Sequence, residues 1–316
     1  MSDVAVLPAE SVTRERRPAI GYAMALSAGT LFALNGAVSK VILKSGLSSL
    51  RLTEVRCAGA LVGLAVILLA TRPGSLRIGR RELVFVAAFG VLGVAFVQLF
   101  YFLAIHRLQI GVSLLIQYLG PLLVALFAHF VLHERVRRRI WAALVLALGG
   151  LTLVVDFWGG VSLDGLGVLF SLCSAVTFAG YLLLAEHAVG RRDPVSLLCY
   201  GFLFASVFWA IAQPWWSFPF DVPGRSVSLL GNLSHLHLPI WALIAWMVVL
   251  GTIVPFFLIV GSMRHITATR AGILAMVEPV VASLVAYGWL DERLGAAQLA
   301  GGAIVLCGIA LAQTAR

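Results

Sequence analysis

GPLLVALFAHFVLHERV, residues 120–136, and EPVVASLVAYGWLDERL, residues 278–294, are two versions of one segment. At a constant offset of 158, Pro121 falls on Pro279, Glu134 on Glu292, Arg135 on Arg293 and, further along, Gly150 on Gly308. Nearer the N-terminus an offset of 146 places Gly21 on Gly167, Phe32 on Phe178 and Ala33 on Ala179. The longer connection between Gln213 and Leu238 absorbs the difference. Self-similarity at a fixed offset over so much of the chain marks an internal duplication.

Composition fixes the solvent in which the two copies fold. Hydrophobic residues make up 61% of the 316 and charged residues 12%, against roughly 45–50% and 25% in soluble domains. A water-soluble fold could not hide that much apolar surface behind so few charges. A hydrocarbon core about 30 Å thick is crossed by roughly 20 apolar residues in helix. Runs that fit lie at 20–40, 50–70, 83–105, 110–132, 139–157, 164–186, 195–213, 239–263, 270–290 and 294–313. Each copy therefore holds five spans. Because five is odd, the second copy enters the membrane from the opposite face. The expected fold is an all-α integral membrane protein of ten transmembrane helices built as two inverted five-helix repeats. The expected divisions are a tail over 1–19, a first repeat over 20–157, a second over 164–314, and a long loop over 213–238. Inverted repeats with a pathway near the midplane are a common plan among secondary transporters.

The net charge of +9 is distributed as a topology signal, not as a binding stripe. Sixteen Lys and Arg fall on the side of the N-terminus and six on the other, with Arg56 inside a span. The positive-inside rule then puts both termini in the cytoplasm, with the 213–238 loop outside and its Trp215, Trp216, Phe218 and Phe220 at headgroup level. No nucleic-acid partner is expected; the lipid bilayer and a small-molecule substrate are. None of these patterns specifies an oligomeric state. Cys57, Cys173, Cys199 and Cys307 lie in apolar runs without metal-ligand spacing, so neither a metal nor a cofactor is expected.

Polar residues inside apolar spans are the candidates for a binding site, because burying them in hydrocarbon is costly. Glu278 precedes Pro279, and Pro121 stands at the matching place in the first copy; a proline disturbs the helix and frees carbonyls. Glu278 fits a substrate ammonium or a coupled proton, or else pairs with Arg56 or caps the broken helix. Asn35, Gln98, Tyr101, Gln117, Tyr118 and Tyr181 supply donors, acceptors and aromatic faces, the mixture a small amphipathic solute needs. Asn35 and Tyr181 are repeat mates, and Ser113, Gln117 and Pro121 share a helix face by i, i+4 spacing. Interhelical hydrogen bonding is the alternative role for each. Glu54 and Arg56, at the outer end of the second span, are expected in an interfacial or interhelical ion pair, and Glu134 and Glu292 are expected to cap the helices that follow them.

These segments, with GGLTLV after the first and GAAQLAGGAIVLCGIAL after the second, resemble the drug/metabolite transporter superfamily, specifically its EamA-type members. The resemblance covers the chain beyond residue 19. The second segment follows the family pattern closely through Glu278-Pro279, Glu292 and Gln298. The first departs from it at Gly120 and at the basic run Arg137–Arg139. The resemblance implies a ten-helix exporter of metabolites in a bacterial inner membrane, with amino acids, aromatic ones among them, as substrates. An uncoupled facilitator and a drug or nucleotide-sugar transporter are the alternatives.

An enzyme is not expected. His133-Glu134 is followed by no second histidine at the spacing of a zinc site, Gly261-Ser262 is not part of a nucleophile elbow, and no phosphate-binding GxxxxGK[ST] occurs.

Overall fold

The computed structural model describes residues 18–71, 74, 78–131, 138–154, 164–189, 193–262, 265–266, 274 and 277–313. Helix occupies part or all of every expected span: α1 (Pro18–Lys44), α2 (Ser49–Thr71), α3 (Arg80 to Arg107), α4 (Ile110 to Phe130), α5 (Arg138–Val154), α6 (Gly165–Val189), α7 (Pro194–Ala212), α8 (Ile240 to Ser262), α9 (Val277–Leu290) and α10 (Ala296–Gln313). Among the described residues α1, α2, α3, α7 and α8 are each long and apolar enough to cross a membrane, and the other five are shorter apolar helices. Val62, Val66 and Leu69 on α2, Val145 on α5 and Ile211 on α7 point outward and exposed, as side chains facing lipid would.

Three helices are not continuous. Both α3 and α8 pass through a π-helical stretch, Phe89–Ala95 and Val249–Ile253, whose wider turn leaves carbonyls outside the regular ladder. The two stretches overlap under the 158 offset, so the duplication preserved an irregularity that the hydrophobic pattern does not reveal. In α4 the helix stops at Gln117 and restarts at Gly120, with Pro121 in the first turn of the new piece. Pro suits that position because the first amides of a helix need no intrahelical partner. Pro279 is the third residue of α9.

Packing follows the duplication. The α1 helix lies against α8 and α9, as α6 lies against α3 and α4, while α2 packs on α7 and α5 on α10. Exchanging the copies maps this set of neighbours onto itself, so the two halves are related by an approximate two-fold. The α5–α10 seam closes on small residues: a Cβ at Gly150 would lie 2.7 Å from the Gly301 carbonyl oxygen, and one at Gly308 2.9 Å from that of Ala143. Close backbone approach of this kind substitutes for hydrophobic burial between helices in lipid.

The connection after α7 is more ordered than a bare loop. A short antiparallel ribbon, β1 (Ser226–Ser228) with β2 (His237–Pro239), forms within it. It closes over the end of α9: Trp289 Nε1 donates to the Leu229 carbonyl at 2.8 Å and Asn232 Nδ2 to that of Gly288 at 3.1 Å. Of the aromatic residues expected at headgroup level, Trp216 and Phe220 are exposed but Phe218 is buried. Phe218 lies beneath the Arg51 guanidinium, 5.8 Å from its ring centre.

Arg51 also corrects an expectation about α2. Its partner is Glu54, at 2.7 Å, and it donates to the Gln213 carbonyl at 3.0 Å and Ser217 Oγ at 2.5 Å. Residues three apart share a helix face; Glu54 and Arg56, two apart, do not. Glu54 thus has its ion pair near the end of α2, with Arg51, whereas Arg56 has none among the described residues.

Glu292 likewise does not cap α10, where Gln298 instead accepts from the Gly295 amide at 2.9 Å. Its carboxylate accepts from the amide of Ile110, the first residue of α4, at 3.1 Å, and pairs with Lys40 of α1 at 2.6 Å. Lys40 donates in addition to the Leu108 carbonyl at 2.7 Å. Glu134, the repeat mate, lies outside the described residues.

Candidate functional site

Tyr118, at the end of the first piece of α4, donates its hydroxyl to Oε2 of Glu278 on α9, at 2.9 Å. This bond joins the first half to the second inside the bundle. Tyr118 is buried and Glu278 half-buried. The carboxylate makes no ion pair with Arg56, so the pairing considered from sequence does not occur.

Arg56 is 5% exposed and turns toward α8. Its Nε donates to Thr252 Oγ1 at 2.8 Å and its Nη2 to the Gly251 carbonyl at 3.1 Å, both within the π-helical stretch. The guanidinium lies over Phe102, 5.4 Å from the ring centre. Placing an arginine near the centre of a membrane helix costs about 2.5–3.5 kcal/mol on an insertion scale. The Gly251 carbonyl, whose i+4 residue Pro255 brings no amide, the threonine hydroxyl and the aromatic face recover part of that cost.

An aromatic wall leads away from Glu278. The Tyr118 ring meets Phe178 at 6.0 Å, Phe178 stacks with Tyr181 at 6.2 Å, and Tyr181 stacks on Phe89 at 5.4 Å. Tyr101, on α3, is buried with its hydroxyl close to Gly36 of α1, where a Cβ would lie 2.8 Å away.

The repeat mates Asn35 and Tyr181 occupy matching places. Asn35 of α1 packs on Gly251 in the π-helical stretch of α8, and Tyr181 of α6 packs on Gly93 in that of α3. Gly93 and Gly251 themselves correspond under the 158 offset. Asn35 Oδ1 and Gln98 Oε1 are buried and accept no hydrogen bond from protein.

The fold thus gathers Tyr101, Tyr118, Glu278 and Asn35 around the interface of the halves, with Tyr181 on the aromatic wall. Gln117 is engaged elsewhere: its Oε1 accepts from Ser174 Oγ at 3.0 Å, next to a Ser171–Ser113 hydroxyl contact at 3.2 Å, so this face of α4 is fastened to α6. Gln98 sits one turn from Tyr101 along α3. Sequence reading did not place Arg56, Thr252, Phe102 or Phe178 in this group. Arg56 did carry a signal: no acidic residue stands three or four positions from it in either direction.

The comparisons with known proteins agree with this architecture. An uncharacterized transporter of Archaeoglobus fulgidus is 31% identical over 77% of this chain and 82% of that protein. The pseudopaline exporter CntI of Pseudomonas aeruginosa is 25% identical over 88% and 92% of the two chains, and the threonine/homoserine exporter RhtA of Escherichia coli is 25% identical over 92% and 86%. A solved crystal structure superposes with a TM-score of 0.60 at 19% identity, covering 92% of this chain and 96% of the other, and so shares the fold. The EamA-like transporter family model matches residues 19–156 and again 165–314. This chain, a multi-pass membrane protein with an internal duplication, belongs to the EamA-like transporter family.

Proposed function

We propose that the protein is a secondary exporter of small amphipathic metabolites, with amino acids as the substrate class, working by alternating access between two inverted repeats over 20–157 and 164–314. The observation that carries this reading is the Tyr118–Glu278 hydrogen bond across the interface of the halves. It sets a carboxylate at the end of an aromatic wall, and that combination suits a solute with an ammonium group and an apolar side chain. Rocking of one half on the other would make and break contacts at this interface. The proposed site comprises Asn35, Tyr101, Tyr118, Tyr181 and Glu278. The proposed location is a bacterial inner membrane with both termini cytoplasmic, as the distribution of Lys and Arg favours. The names of two relatives, a threonine/homoserine exporter and a pseudopaline exporter, support export and, for the first, amino acids.

The test is efflux from liposomes holding the purified protein, preloaded with labelled amino acids, a nucleotide sugar and a cationic drug, with and without an imposed pH gradient. Saturable efflux confined to the amino acids supports the reading. Efflux of the nucleotide sugar or the drug alone overturns the substrate class. Amino-acid flux that cannot accumulate against a gradient makes the protein a facilitator.

A further inference from the structure

We propose that Arg56 is the recognition group for the carboxylate of the transported solute, so that the site selects a zwitterion. The proposal rests on the amino-acid reading above and goes beyond it by naming the residue that sets specificity.

Among the described residues, no carboxylate comes within ion-pairing distance of Arg56, although it is almost wholly buried. A buried cation ordinarily has an anionic partner, because neutral dipoles replace its hydration only in part. Here the protein supplies neutral acceptors alone, and only to Nε and Nη2. Nη1 donates to no protein group, leaving one edge of a rigid five-donor fork unused. The two bonds to the π-helical stretch of α8 and the Phe102 face below hold the guanidinium in a fixed direction, as a preorganised anion site requires.

Across the interior, Glu278 gives one oxygen to Tyr118 and receives no protein hydrogen bond on the other. Among the described residues no ion pair joins the two groups. A cation and an anion, each partly satisfied and held apart on α2 and α9, complement a molecule that carries both charges. A purely structural role, fastening the π-helical stretch, would be served by the two bonds present and would give no selectivity between solutes.

The experiment measures efflux of labelled L-threonine and L-phenylalanine from proteoliposomes in counterflow, with each unlabelled amino acid or its carboxamide as competitor. The carboxamide keeps the ammonium group and the side chain but loses the negative charge. For the wild type, the free acids are expected to compete at least tenfold more effectively than the carboxamides. Arg56→Gln is expected to reduce that preference to threefold or less while carboxamide competition persists. Equal competition by acid and amide in the wild type overturns the proposal and leaves amino-acid export standing; this comparison needs no variant to fold. Undiminished acid preference in a folded Arg56→Gln also overturns it. No flux of either amino acid through folded wild-type protein overturns both the proposal and the amino-acid reading.

Discussion

The hydroxyl of Tyr118 reaches the carboxylate of Glu278 across 2.9 Å, linking the broken fourth helix of one repeat to the ninth helix in the other. Tyr118 closes the first piece of the broken helix: its amide still donates to the Leu114 carbonyl at 2.9 Å, so the ring leaves from the end of a regular turn, just before the break. Hydrogen bonds to charged groups contribute roughly 1.5–3 kcal/mol, enough to bias a two-state equilibrium between halves. Tyr118→Phe removes the bond and keeps the ring; Glu278→Gln removes the charge and keeps the shape. Glu278→Gln is expected to lower amino-acid efflux at least tenfold, and Tyr118→Phe to lower it less, with both proteins still extracted as monodisperse particles. Wild-type flux from Glu278→Gln would remove Glu278 from the site.

Gly251 and Gly93 should respond unequally to the same substitution. A Cβ at Gly251 would lie 2.1 Å from Asn35 Oδ1 and 2.4 Å from its Cγ, whereas one at Gly93 would lie 3.3 Å from Tyr181 Cα. The first must displace a buried side chain; the second asks its neighbour to give slightly. Overpacking of a close contact costs about 1–3 kcal/mol. Gly251→Ala is expected to lower the thermal unfolding midpoint in detergent by several degrees, and Gly93→Ala by clearly less. Equal shifts would refute this account of the contact.

Lys40 and Glu292 tie α1 to the start of α4 and the end of α9. Each side chain keeps only 13% and 14% of its surface, so the loss of one partner strands the other with little water. Breaking a buried pair costs about 3–5 kcal/mol, and these slightly exposed groups should fall toward the lower end of that range. Lys40→Met and Glu292→Gln are each expected to destabilise the protein. The double variant should lose less than the sum of the two, as a double-mutant cycle on unfolding midpoints would record; strict additivity would show that the pair does not act as a unit.

At the solvent-exposed edge of the sixth span, one residue before α6, the Asp164 carboxyl accepts from the Gly167 amide at 3.0 Å and pairs with Arg107 at 2.8 Å. The Gly167 amide first, and then Arg107, hold it below the ordinary carboxylate range. A carboxyl lowered in the folded state adds stability above its unfolded value, near pH 3.9, and loses it as pH falls through the folded value. Unfolding midpoints of the wild type should therefore decline between about pH 4 and more acid conditions, with a shallower decline in Asp164→Asn. Identical acid slopes would show that this tie contributes nothing.

The sequence by itself determined the class, the ten spans and the duplication. Hydrocarbon imposes a span length and forbids unpaired backbone, and a repeated segment such as residues 120–136 and 278–294 must fold the same way twice. Asn35 and Tyr181 could be matched as repeat mates for the same reason. The tertiary structure decided which polar groups meet. Gln117 and Tyr118 are adjacent in sequence, yet one is fastened to Ser174 and the other reaches Glu278, because successive helix residues point about 100° apart and the packing of α6 and α9 decides what each direction meets. Arg56 passed over Glu54 for the carbonyl of Gly251, whose ordinary helical donor would be residue 255, a proline without an N–H; the sequence marks that vacancy, and only the tertiary structure sets Arg56 beside it. Partners of buried polar groups are set by the relative rotation and offset of helices distant in the chain, and a local pattern carries no record of either.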